Sequence, residues 1–146
     1  MAASIDNMKC WIVTPDEPTA EHREAVRSPL ADFNARNGYP VDTQPVAVLL
    51  NDNKGRTIGG LWGQTSLRWL YVEFLVVPEN LQGHDYGSAL MDEAERIARE
   101  RGCANAWLTT FSFQARGFYE KRGYEPFGEL DNSPGENIRF FLRKRL

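Results

Sequence analysis

WLYVEFLVVPENLQGHDYGSALMDEAERIARER, residues 69–101, is the stretch whose reading decides the fold. Its first part, residues 70–77 (LYVEFLVV), is apolar, β-branched and aromatic with a single acid, the pattern of a buried strand. Pro78 ends that run, and residues 78–87 (PENLQGHDYG) supply loop residues and two glycines. From Tyr86 the period becomes helical: Tyr86, Ala89, Leu90, Ala94, Ile97 and Ala98 share one face. Asp92/Arg96 and Glu95/Arg99 then read as i,i+4 pairs on the opposite, solvated face. Gly102 stands where a helix C-cap glycine belongs. A strand, a glycine-bearing loop and a helix start in series can hold an anion, because the first N–H groups have no internal partner and the helix dipole is positive there. The same three parts also make a plain strand-to-helix turn, and this stretch alone does not choose between them.

The 146 residues predict one domain, 1–146, with enough chain to bury a core. A net charge of -3 gives nucleic-acid binding no electrostatic support. Cys10 and Cys103 make neither a disulfide framework nor a metal set, so reduced thiols and a cytoplasmic protein are expected. No apolar run approaches the roughly 18 residues of a membrane span, and residues 1–9 lack the apolar core of a secretory signal.

Working outward, residues 8–14 (MKCWIVT) read as a first strand. Thr19 is a candidate N-cap for a helix carrying Ala25, Val26, Leu30 and Phe33 inward, split in two by Pro29 and ending near Asn37-Gly38. Residues 45–51 (PVAVLLN) and 57–65 (TIGGLWGQT) flank a hairpin turn at 52–56, and the three glycines of the second run predict a bulge or a close backbone approach. After Gly102, residues 105–110 (NAWLTT) read as a strand reached by a right-handed crossover, hence parallel to 70–77. A short helix over 113–122 and an antiparallel pair, 124–130 with 138–144, complete a mixed α/β fold. Its sheet is mostly antiparallel, with a parallel pair in the middle and helices on both faces.

This order and three local motifs resemble the GNAT superfamily of acetyl-CoA-dependent N-acetyltransferases. The family's acyl-CoA loop, Arg/Gln-x-x-Gly-x-Gly/Ala, is represented by Gln82, Gly83, His84, Asp85, Tyr86 and Gly87, followed by Ser88. FYEKRGY (118–124) resembles the family's aromatic-Tyr-Glu-Lys-x-Gly-aromatic segment, and LYVEFLVV (70–77) places an acid in the central strand. The resemblance implies acetyl-CoA as co-substrate, no metal, a small amine acceptor and direct attack in a ternary complex. It implies backbone contacts from Leu75, Val76 and Val77 to the acyl-CoA arm, Glu73 as base and Tyr119 as acid. Burial in an apolar strand would lift Glu73 toward a useful pKa. Lys121 and Arg122 are candidate phosphate partners or solvated helix-end charges. Homodimers are common in the family.

Two positions depart from the pattern. Asp85 replaces its first glycine, setting a carboxylate near a pyrophosphate unless the side chain caps the helix instead. Ser112 replaces the asparagine that binds the pantetheine arm, with Gln114 as a nearby substitute. Both leave room for a non-catalytic acyl-CoA sensor on the same fold. A nucleotide-binding protein is the more distant alternative, disfavoured because no Gly-Lys-Ser/Thr follows the loop.

Overall fold

The computed structural model describes residues 10–146, which divide into two compact units, one ending at Pro40 and one spanning Val41–Leu146. In the first, α1 (Ala20–Arg36) starts at Thr19, as expected. Its cap is a reciprocal box: His22 N–H donates to Thr19 Oγ1 at 3.3 Å, and Thr19 N–H donates to His22 Nδ1 at 3.1 Å. Two expectations fail here. Pro29 does not split the helix, because the bond it removes would have ended on the carbonyl of Ala25, an exposed residue whose acceptor water can satisfy. Nor are Ala25, Val26, Leu30 and Phe33 buried; no residue of α1 is. The expected strand over 8–14 is also absent from residues 10–14, which join no ladder, while Met8 and Lys9 lie outside the described residues.

The second unit is a six-stranded sheet in the order β1-β2-β3-β4-β6-β5. Its strands are β1 (Gln44–Asn51), β2 (Thr57–Ser66), β3 (Trp69–Val76), β4 (Asn105–Phe111), β5 (Glu125–Leu130) and β6 (Arg139–Arg145). All neighbouring strands are antiparallel except β3 and β4, the parallel pair expected from the crossover through α2 (Tyr86–Glu100). The short helix α3 is Arg116–Lys121. Between β3 and α2 the chain makes one 3-10 turn, Glu79–Leu81.

The core lies between α2 and one face of the sheet. Leu90, Met91, Ala94 and Ala98 from the helix meet Val46, Leu61, Leu70, Val72, Leu108 and Leu142 from the strands. Period-2 burial is clearest in β4, where Ala106, Leu108 and Thr110 point inward. β3 departs from the expected buried strand: Leu70 and Val72 are buried, but Phe74 and Val76 are 62% and 58% exposed. An apolar run does not tell two covered faces from one. α2 also corrects its pattern, because Glu95 is buried with the apolar residues, and Arg96 pairs with Glu93 and Glu100 rather than with Asp92. Gly102, at φ 81°, ends the helix as expected.

The glycines of β2 work by close approach. A Cβ on Gly63 would stand 2.2 Å from the Tyr71 carbonyl oxygen, and one on Gly59 2.6 Å from that of Val76. The ladder between β2 and β3 shifts register between Trp62 and Gly63, which makes Glu73 the extra residue of a β-bulge.

Candidate active site

The parallel ladder of β3 and β4 stops at Val72–Leu108, although β3 runs on to Val76 and β4 to Phe111. Beyond that point the two strands separate, and the β4-facing backbone groups of β3 have no sheet partner on that side. A cleft of about 370 Å³ opens here. Leu75 and Val77 contribute from the strand end, Leu81, Gln82, Gly83 and Asp85 from the loop, and Tyr86, Gly87 and Ser88 from the first turn of α2. Ala115, Phe118 and Tyr119 close the opposite side.

The loop geometry leaves N–H groups free at the start of α2. The first internal bond of α2 runs from Ala89 N–H to the Asp85 carbonyl at 3.0 Å, so the N–H groups of Tyr86, Gly87 and Ser88 have no helical acceptor. Gly83, at φ 81°, and Asp85, at φ 63°, both turn the chain through the left-handed region. Gln82 Nε2 donates to the Val77 carbonyl at 3.2 Å and ties the loop to the strand it leaves. Gly87 leaves room for the Phe118 ring, since a Cβ there would stand 3.3 Å from Phe118 Cζ.

Asp85 occupies the N-cap position of α2, yet its side chain makes no capping hydrogen bond. The alternative in which Asp85 caps the helix is therefore not the geometry found. Replacing it with glycine removes a carboxylate beside the helix N-terminus and relieves left-handed strain of about 1–2 kcal/mol. Asp85→Gly is expected to tighten acetyl-CoA binding in a calorimetric titration; weaker binding would mean that the side chain holds the loop.

Tyr119 lines the cleft, and burial pushes its phenol above the ordinary tyrosine value. The ring meets Tyr124 edge-on, with centroids 6.1 Å apart. Tyr124 is also pushed up, first by burial and then by the charge of Glu95. Both tyrosines hold their protons in the folded state beyond the pH near 10 at which an unfolded chain releases them. Their stabilisation is thus complete below about pH 10 and is lost as pH rises through the higher folded values. Thermal melts are expected to show a falling midpoint above that pH, and a flat alkaline limb would contradict it.

Not every expected residue reaches the cleft. Glu73 sits at the bulge and is exposed, so the expected burial of its carboxyl is not found. Alternation is the reason, since Leu70 and Val72 point into the core and Glu73 falls with Trp69 and Tyr71 on the opposite face. Val76 and His84 are exposed and lie outside the lining. Ser112 Oγ donates to Asn137 Oδ1 and accepts from Ile138 N–H, each at 3.1 Å, so its hydroxyl is committed to the segment before β6. Gln114 Oε1 accepts from Phe111 N–H at 2.9 Å and likewise folds back on β4. Arg122 is bonded to Asp92 at 2.6 Å rather than held out as a solvated charge, and its Nε is buried without a partner. Leu81, Ala115 and Phe118 line the cleft and were not among the expected contacts, although Phe118 opens the FYEKRGY motif. Among the described residues no cluster of His, Cys, Asp and Glu could hold a metal, and no helix is long and apolar enough to cross a membrane.

The fold is a mixed α/β sheet whose parallel pair splays beside the first turn of α2, where free N–H groups face a cleft. The sequence model of the acetyltransferase (GNAT) family matches residues 8–124. Acetyltransferase Atu2258 from Agrobacterium fabrum is 34% identical over 135 residues, covering 92% of this chain and 98% of that protein. Blasticidin-S acetyltransferase from Streptomyces morookaense is 38% identical over 94 residues, 64% of this chain and 69% of that protein. A crystal structure of an acetyltransferase from Bacillus cereus matches with a TM-score of 0.78 and 30% identity, over 92% of this chain and 98% of the other. An aminoglycoside 6'-N-acetyltransferase solved with coenzyme A shares the fold, with a TM-score of 0.62 and 20% identity over 69% of this chain and 72% of the other. The chain belongs to the acetyltransferase (GNAT) family and is an acyltransferase.

Proposed function

We propose that the protein transfers an acetyl group from acetyl-CoA to a primary amine of a small acceptor, by direct attack within a ternary complex. The observation that carries this reading is one cleft lined by both the α2 N-terminus and Tyr119, so that anion-binding N–H groups and a proton donor face the same space. The solved relative with coenzyme A supports the choice of ligand. The relative that acetylates blasticidin S supports a small, amine-bearing acceptor. A single domain over 1–146 accords with a family model reaching from residue 8 to residue 124. A cytoplasmic setting accords with two free cysteines.

The chemistry divides into three steps. An alkylamine near pKa 10.4 is unprotonated in only roughly one part in 2,500 at pH 7, so a base must take its proton. Glu73, exposed at the bulge and outside the cleft lining, takes that proton through intervening water rather than directly. The nitrogen then bonds to the thioester carbon, and the oxyanion is held by backbone N–H groups of Leu75, late in β3, and Val77, just past its end. Collapse breaks the C–S bond, and the thiolate takes the phenolic proton of Tyr119, whose burial keeps that proton in place at neutral pH.

Incubation with acetyl-CoA and a panel of primary amines, polyamines and aminoglycosides is expected to release free thiol and yield a product heavier by one acetyl group. Acetylated protein in the absence of amine would contradict direct attack. For Glu73→Gln the expected change is lower turnover with little change in acetyl-CoA affinity; unchanged turnover assigns proton removal to another group or to bulk water.

A further inference from the structure

Glu95 sits where a surface helix would normally carry an apolar residue. Its side chain is 3% exposed, and groups from beyond α3, from β6 and from α2 itself converge on it. The Tyr124 phenol donates to Oε1 at 3.0 Å, and Lys144 Nζ donates to Oε2 and Oε1 at 2.9 and 3.1 Å. Arg99 and Arg122 each bring a guanidinium nitrogen to 3.7 Å from Oε2. Arg122 also bonds Asp92, three residues earlier on α2. Helix α2 therefore grips the segment after α3 at two points and β6 at a third.

Tyr119 lies inside that grip. Its carbonyl accepts from the N–H groups of Arg122 and Tyr124, at 3.0 and 3.1 Å, and its ring abuts the Tyr124 ring. The helix that does the gripping is the one whose first turn lines the cleft. Packing alone gives no reason for a charge here. A buried ion pair is often no more stable than well-packed apolar groups of the same volume, because both ions are desolvated. What the ionic hub adds is direction, since one carboxylate fixes a phenol and an ammonium at once.

We propose that Glu95 is a positioning residue for acetyl transfer: by holding Tyr124, Arg122 and Lys144 to α2, it sets the Tyr119 phenol against the cleft that α2 opens. This rests on the reading of Tyr119 as the group beside the thioester. The test follows the tyrosine ring signals of ¹³C-tyrosine-labelled protein by NMR during an acetyl-CoA titration, with Tyr119 assigned through Tyr119→Phe and affinity taken from the same titration.

Wild-type protein is expected to show a Tyr119 signal displaced by acetyl-CoA. Glu95→Gln keeps the side-chain size and loses the charge. It is expected to bind acetyl-CoA within a few-fold of wild type while the Tyr119 displacement is lost or broadened over several positions. An unchanged displacement accompanied only by a lower melting temperature would overturn the proposal and leave Glu95 a stability residue. Should Glu95→Gln not fold, Tyr124→Phe removes one hydrogen bond and spares the Lys144 pair. A reduced Tyr119 displacement in that variant supports the proposal, and an unchanged one overturns it. A wild-type Tyr119 signal that ignores bound acetyl-CoA removes the tyrosine from the thioester, and the positioning role falls with it.

Discussion

Tyr119→Phe is expected to lower turnover by about 10²–10⁴-fold, the range for loss of a positioned general acid, with little change in acetyl-CoA affinity. The substitution keeps the ring that packs against Phe118 and Tyr124 and deletes only the hydroxyl. A desolvated phenol pushed above its ordinary pKa keeps its proton at neutral pH, so it is available as a donor. The loss should shrink with thioesters whose leaving thiol is more acidic, because a stable thiolate departs without a proton. Turnover within a few-fold of wild type on a proven acceptor would remove Tyr119 from that role.

The largest expected loss of stability is at Gly60. Its φ is 138°, and an added Cβ would stand 2.4 Å from the Val48 carbonyl oxygen and 3.1 Å from Leu49 Cα. Both neighbours are backbone of the paired strand β1 and cannot swing aside. Overpacking against such atoms costs about 1–3 kcal/mol, and the positive φ adds about 1–3 kcal/mol. Gly60→Ala is therefore expected to lower the melting temperature by roughly 10 °C. Gly117, inside α3 with nothing within 4 Å of its added Cβ, provides the contrast. Gly117→Ala is expected to stabilise by about 1 kcal/mol through helix propensity. Equal effects at the two positions would contradict the close-approach account of β2.

Local signals made most of the second unit legible. The strand–loop–helix period change, Gly102 as helix stop, the hairpin around Asp52 and the crossover that makes β3 and β4 parallel all depend on neighbours in sequence. The first unit was read less well for the same reason. An apolar run such as residues 10–14 forms a strand only with a ladder partner, and Pro29 breaks a helix only where its orphaned carbonyl has no other donor.

The candidate site divides along the same line. Gln82, Gly83, Asp85, Tyr86, Gly87, Ser88 and Tyr119, picked out by local spacing, line the cleft, while His84 of the same loop does not. The i,i+4 pair of Glu95 with Arg99 is present at 3.7 Å, but Glu95 is buried rather than solvated, because its partners Tyr124 and Lys144 are distant in sequence. Ser112 and Gln114 were chosen by position, and their hydrogen bonds to Asn137 and Phe111 are set by tertiary structure. Glu73 was placed in the right strand. Its exposure follows from alternation opposite the buried Leu70 and Val72, and the bulge that the glycines of β2 hinted at turns Phe74 outward as well.

Acetyl-CoA is expected to bind in the cleft between the end of β3, the α2 N-terminus and Tyr119. A calorimetric titration of acetyl-CoA into wild type and Gly87→Leu tests it most directly, with thermal melts to confirm that both are folded. The leucine would fill the space beside Phe118 and cover the first N–H groups of α2. Saturable binding by wild type, abolished in Gly87→Leu, is the predicted result. Equal affinity in the two proteins, or no binding by wild type, would contradict the account.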